Sequence, residues 1–179
     1  LAVDEAHAVG CMGPSGRGAA ASQGIEPDIL IGTFGKAFGA SGAFVVGPPE
    51  LKQLLINAGR SFIYTTGMPE VLANMCLAGM QRATAERRER LIDRTQHFRN
   101  GLKQLGWSPL GQAHIVPLVV GPTVMEIAER LMEASIYAPG IRWPTVARGQ
   151  ERLRFTLSSE HSHRQLDQIL EALGPCQAL

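Results

Sequence analysis

Residues 28–42 read D-I-L-I-G-T-F-G-K-A-F-G-A-S-G, an apolar run that passes directly into a glycine-rich loop carrying one lysine. Asp28–Gly32 has the length and composition of a strand buried on both faces. Lys36 then sits among small residues, Gly35, Ala37 and Gly39, which let a flat ring approach the backbone closely. Surface lysines seldom occupy a loop this apolar, and burial lowers a lysine's pKa and favours imine chemistry. A further strand, Ala43–Val46, is closed by Gly47-Pro48-Pro49. A short helix follows at Glu50–Ala58, with Leu51, Leu54 and Leu55 on one side.

Upstream, the chain begins L-A-V-D-E-A-H-A-V-G (1–10). Leu1–Val3 reads as the end of a strand that delivers Asp4 to its C-terminal edge. Ala8–Gln23, rich in Gly and Ala and containing Pro14, reads as a loop with one helical turn. The letters D-E-A-H match the acidic box of a helicase, but that chemistry needs a G-x-x-x-x-G-K-[ST] phosphate loop. Here Lys36 is followed by Ala37, so no hydroxyl is available for Mg²⁺. The charges nearly cancel, 17 basic against 16 acidic residues, so no basic surface for nucleic acid is evident. Asp4 fits a different partner. A carboxylate against the ring nitrogen of pyridoxal phosphate (PLP) keeps the pyridinium protonated and makes the ring an electron sink. Lys36 would supply the imine nitrogen, and Thr33 can present a hydroxyl to the phosphate.

Downstream, Pro69 stands where a first helical turn tolerates proline. Apolar residues at helical spacing from Val71 to Leu105 predict a long, broken helix ending at Gly106. The cluster A-E-R-R-E-R-L-I-D-R (85–94) alternates sign as a solvated helix face does. Shorter elements follow: strands at Ile115–Val120, Ser135–Ala138 and Leu153–Leu157, and two helices. Capping boxes at Thr123–Glu126 and Ser162–Gln165 open those helices, the second running to Leu173. This alternation is that of a small α/β sandwich domain.

Cys11, Cys76 and Cys176 are scattered and odd in number, which points to a reducing cytosol and a cytoplasmic protein. Cys11 is expected to serve packing. His161-Ser-His163 has ligand-like spacing but no third ligand, so no metal site is expected. No run approaches a membrane span. Leu1 lies inside an apparent strand with no Met before it, as expected of a piece of a longer protein whose N-terminal part is absent.

Taken in order, D-E-A-H-A-V-G-x-x-G-P-x-G-R-G, T-F-G-K-A-F-G-A-S-G and Y-T-T-G-M-P resemble the α-oxoamine synthase family of fold-type I PLP-dependent enzymes. The resemblance runs from Leu1 to about Leu173. The stretch I-R-W-P-T-V-A-R-G-Q-E-R-L-R-F-T-L-S-S-E-H (141–161) is most similar to the biotin-pathway member. The resemblance implies an α/β fold in two parts. Residues 1–84 would be the C-terminal part of the large PLP-binding domain, with its mainly parallel sheet, and 85–179 a linking helix and the small C-terminal α/β domain.

It also implies roles. Lys36 carries PLP as a Schiff base and later takes the α-proton of the amino acid, and Asp4 pairs with the pyridine nitrogen. His7 lies beside the ring hydroxyl and helps proton transfers, and Thr33 binds the phosphate. Thr66 reaches a phosphate across a homodimer interface, so the active sites are shared. Arg154 grips the amino-acid carboxylate, as a guanidinium does well. By strand period alone Arg152 is an equal candidate, and only the family pattern selects Arg154. Thr145 lies near the cofactor or the acyl substrate, in a motif that commonly reads P-P-T-V, where Trp143 here replaces a proline. The implied reaction joins an amino acid, L-alanine, to an acyl thioester of coenzyme A or of a carrier protein, with loss of CO₂. Glycine- or serine-using siblings share these cofactor residues, and a non-catalytic chain that only dimerises is a third reading.

Overall fold

A computed structural model describes residues 1–178. The chain divides into two compact units, Leu1–Arg88 and a second beginning at Glu89, with the boundary inside the first turn of a long helix.

The first unit is built on a three-stranded sheet in the order β1 (Ala2–Asp4), β2 (Ile29–Thr33), β3 (Ala43–Val46). β1 runs parallel to β2, with Asp4 opposite Ile31, and β3 returns antiparallel. The short helix α1 (Ala19–Ser22) lies in the connection between β1 and β2. After β3 come α2 (Pro49–Ala58), α3 (Arg60–Ile63) and α4 (Glu70–Arg82). The predicted long helix is two helices, α4 and α5 (Ala85–Gln104), broken at Ala83 and Thr84.

β2 is not buried on both faces as its composition predicts. Within it only Gly32 is buried, and Ile31 is 37% exposed. A strand is buried twice over only when elements cover both faces, and along β2 and β3 the helices of this unit do not.

The second unit carries a fully antiparallel sheet in the order β4 (Ile115–Val119), β6 (Arg152–Thr156), β5 (Gly140–Ile141). With α5, α6 (Val124–Glu133) and α7 (His163–Leu173) it encloses a close-packed core. Phe98 and Leu102 of α5, Val116 and Leu118 of β4, Leu153 and Phe155 of β6, and Leu166 and Leu173 of α7 are all buried. Phe98 meets Phe155 edge-on at 5.1 Å between centroids. Gly101 lets α5 and α7 approach, since a Cβ there would stand 2.2 Å from Leu170.

Two expectations fail in this unit. Ser135–Ala138 is not a strand: Ser135 adopts a left-handed φ of 61° and closes α6, with Ser135 and Ile136 amides donating to Met132 and Leu131 carbonyls. Pairing begins only after Pro139, which has no N–H to give a ladder. The box at Thr123 does not form either. Its hydroxyl donates backward to the Val120 carbonyl, and Glu126 reaches forward to Arg130 at 2.9 Å. The box at Ser162 and Gln165 forms in full.

Candidate active site

The first unit brings the two sequence motifs to one edge of its sheet. Asp4 ends β1, the Glu5 amide extends the ladder by donating to the Ile31 carbonyl at 2.8 Å, and the Thr33–Gly42 loop leaves the neighbouring end of β2. Ligands of open α/β sheets lie outside such carboxyl ends.

Glu5 builds the loop behind Asp4. It is 1% exposed, and its two carboxylate oxygens accept the Ala19 and Ala20 amides at 2.8 and 2.7 Å. Its carbonyl accepts from Ala8 and Val9, folding D-E-A-H into a tight turn that leaves Asp4 and His7 exposed. The Ala6 amide holds Asp4 by Oδ1 at 2.9 Å. Gly18, at φ 110°, has room for no side chain, because a Cβ would lie 2.6 Å from the Glu5 carboxyl carbon. Sequence reasoning leaves Glu5 without a role, because the amides it accepts belong to α1, 14 and 15 residues further along the chain.

The loop that bears Lys36 is equally constrained. Phe34 donates to the Gly42 carbonyl and Ala40 to that of Phe34, while the Thr33 hydroxyl donates to Gly42 at 2.9 Å and accepts from the Gly35 amide at 3.2 Å. Phe34 packs on Phe38 and Phe44 at centroid distances of 5.9 and 5.0 Å. Gly79 of α4 lies so close that a Cβ would stand 2.1 Å from the Phe38 carbonyl oxygen, and the Cys76 thiol donates to the Ser41 carbonyl at 3.4 Å. The two loops touch at Gly10 (φ 83°), where a Cβ would meet Ala37 at 2.8 Å and the Phe38 ring at 3.1 Å.

Lys36 itself is exposed, contrary to the burial expected of it. The loop is fixed by its aromatic residues and backbone, which turn inward, and the lysine occupies its tip, where connecting segments meet solvent. Thr66 is exposed between α3 and α4, two residues before Met68, whose methyl faces Gly42.

Thr145 and Arg154 belong to the second unit. On β6 Leu153 and Phe155 point to the core, while Arg152 is partly exposed and Arg154 exposed on the other face. Arg152 spends Nε on the Gln150 carbonyl at 2.9 Å. Thr145 sits in a turn, its amide donating to Arg142, and lines an open cavity with Gly140–Pro144.

The remaining candidates are structural. His161 accepts the Ser158 amide on Nδ1, and His163 stacks on His97 and meets Asp93. Among the described residues no group of three or more His, Cys, Asp or Glu could hold a metal. Burial raises the Cys11 thiol's pKa, against a smaller lowering by Arg88, which suits packing rather than nucleophilic attack. No described helix is long and apolar enough to cross a membrane.

An acid and a lysine presented together at one sheet edge, followed by a small α/β unit, are the arrangement of fold-type I PLP-dependent transferases. The profile of the aminotransferase class I and II family matches residues 1–173, and the chain belongs to that family. Within it, the similarity is to α-oxoamine synthases. The 8-amino-7-oxononanoate synthase of Aeromonas hydrophila is 44% identical over 98% of this chain and 46% of its own length. The solved 8-amino-7-oxononanoate synthase of Francisella tularensis superposes with a TM-score of 0.88 at 28% identity, over 99% of this chain and 55% of that one. A serine palmitoyltransferase variant from S. paucimobilis, solved with PLP and myriocin bound, gives 0.89 at 27% identity over 99% and 47%. The chain thus spans about half the length of the curated relatives it matches.

Proposed function

We propose that this chain carries the lysine-bearing portion of a PLP-dependent α-oxoamine synthase of biotin biosynthesis. The reaction joins L-alanine to a pimeloyl thioester, of coenzyme A or a carrier protein, giving 8-amino-7-oxononanoate, CO₂ and free thiol. The observation that carries the reading is the contact of Gly10 with Ala37 and Phe38, which brings the Asp4–His7 turn against the Lys36 loop. In this reading residues 1–84 belong to the large cofactor domain and 85–179 form the linking helix and small domain. The active protein is a cytoplasmic homodimer with shared sites.

The residues present fit PLP. An exposed carboxylate, an exposed lysine and a hydroxyl lie on one edge, and small residues line the lysine's loop. Bound PLP supplies an electron sink for the negative charge that develops at the amino acid's α-carbon. Asp4 keeps the pyridine nitrogen protonated, and His7 orients the ring hydroxyl. Thr33 and, from the other subunit, Thr66 hold the phosphate; for this the Thr33 proton turns away from the Gly42 carbonyl. Lys36 would hold the cofactor through Nζ, and the same nitrogen would accept the α-proton of the amino acid. Arg154 clamps the amino-acid carboxylate through paired N–H donors until that carboxylate leaves as CO₂. Thr145 stands beside the acyl substrate. The net change is one new bond from the alanine α-carbon to the acyl carbonyl carbon, with departure of the thiolate and then of CO₂, a proton taking the place of the latter.

A second reading, with glycine or serine in alanine's place, draws on the likeness to serine palmitoyltransferase. With PLP and each amino acid singly in deuterated water, NMR follows α-proton exchange. Exchange selective for L-alanine is the expected result. Selectivity for glycine or serine transfers the assignment to the sibling reaction, and exchange with none of the three overturns catalysis and leaves a dimerisation role.

A further inference from the structure

Gly42 joins the lysine loop to the segment that carries Thr66. Its carbonyl accepts two hydrogen bonds, from the Phe34 amide and from the Thr33 hydroxyl, each at 2.9 Å. Its backbone holds φ 104°, and the Met68 methyl occupies the space that a side chain at Gly42 would fill. The Ser41 carbonyl beside it accepts from the Cys76 thiol of α4. Thr66 and Met68 both lie in the stretch between α3 and α4. The Tyr64 amide closes α3 on the Arg60 carbonyl, and the Pro69 carbonyl accepts from Leu72 and Ala73 of α4. Between them, among the described residues, no hydrogen bond is made to Thr65–Met68. The packing of Met68 on Gly42, rather than a backbone ladder, seats this stretch on the lysine loop.

We propose that Met68 is a positioning residue that couples the two cofactor sites of the dimer. This rests on the reading above in which Thr66 reaches the phosphate of the neighbouring site. In a two-fold dimer that exchange is mutual: the Lys36 loop of each chain builds one site, and its Thr66 serves the other. A phosphate held by Thr66 in one site fixes residues 65–68, which no hydrogen bond within the described chain orders. Through Met68 that order passes to Gly42, and so to the Thr33 hydroxyl and the Lys36 loop of the second site. Conformational freedom is thus lost at the first binding event, and the second event loses less. The consequence is positive cooperativity without a large movement.

The test is a PLP titration of the full-length protein, followed by absorbance, at concentrations where sizing shows a dimer throughout. The second equivalent is expected to bind about 5-fold or more tightly than the first, a coupling at the lower end of the usual range. Met68→Ala makes the two affinities equal, and Met68→Leu, which keeps an apolar contact, retains part of the coupling. Met68 is 46% exposed, so its truncation opens no cavity in a core. Two independent, equal sites in the parent protein overturn the proposal without recourse to a variant. So does a Met68→Ala protein that binds PLP more weakly at both sites and stays cooperative, the result of a purely structural role.

Thr66→Ala separates the coupling from the reading beneath it. That variant is expected to bind PLP more weakly and without cooperativity. Weaker binding in Thr66→Ala, with independent sites in the parent, overturns the coupling alone and keeps the shared sites. Unchanged PLP binding in Thr66→Ala sinks the shared-site reading and the coupling with it.

Discussion

Gly18 and Glu5 show what single residues do for this site. Gly18 holds φ 110° and ψ −176°, a conformation open essentially only to glycine. Any side chain there also collides with the buried Glu5 carboxylate that ties the Asp4 turn to α1. Gly18→Ala is therefore expected to lower stability by about 1–3 kcal/mol or more, read as a fall in the urea midpoint, and to weaken PLP binding through the displaced turn. An unchanged midpoint would contradict this account of the loop. At this scale the sequence was legible wherever chemistry restricts residue choice, as in D-x-x-H and T-x-x-K. It was silent on Glu5, Cys76 and Gly79, whose roles depend on contacts with segments distant along the chain. Lys36 is exposed rather than buried for a related reason: an apolar loop says which side chains turn inward, not where its tip ends.

Among the elements, α5 and α7 are held together by more than apolar packing. His97 Nε2 meets Asp167 Oδ1 at 2.6 Å, His163 Nε2 meets Asp93 Oδ2 at 2.9 Å, and the two imidazoles stack at 4.5 Å. Arg94 adds Nε to the His161 carbonyl and an ion pair to Asp93. The hydrogen bond from His163 is the largest influence on the Asp93 carboxyl and holds it below its ordinary pKa; burial opposes it, and the His163 charge and Arg94 add smaller lowering effects. A folded-state pKa below the unfolded value of about 3.9 means a stabilising contribution present above that pH and lost as pH falls through the folded value. Asp93→Asn is expected to lower Tm at pH 7, and the gap to the parent protein should close as the pH drops well under about 3.9. A gap that persists in acid would contradict the assignment. Ser162 was legible as a cap because nothing competes for its hydroxyl. Thr123 was not, because a preceding turn draws its hydroxyl backward and Arg130 draws Glu126 forward.

For the whole molecule, the fold class was legible because an acidic strand end and a lysine loop in this order imply one sheet edge, and the small α/β pattern follows them. The extent of burial was not, since it depends on what covers each surface. In the first unit, α4 exposes Val71, Met75, Leu77 and Met80, and the segment before it exposes Phe62, Tyr64 and Met68. That apolar surface supports the homodimer reading, in which Thr66 reaches the neighbouring site. The second unit encloses a core of its own around Phe98, Leu118, Leu153 and Leu166.

The central claim is that Lys36 holds PLP. Borohydride reduction of the protein with PLP, followed by peptide mass spectrometry, tells a label on Lys36 from one on Lys52 or Lys103. The account predicts the phosphopyridoxyl label on Lys36 and its loss in Lys36→Ala. A label on any other lysine that survives Lys36→Ala, or no label at all, would contradict it.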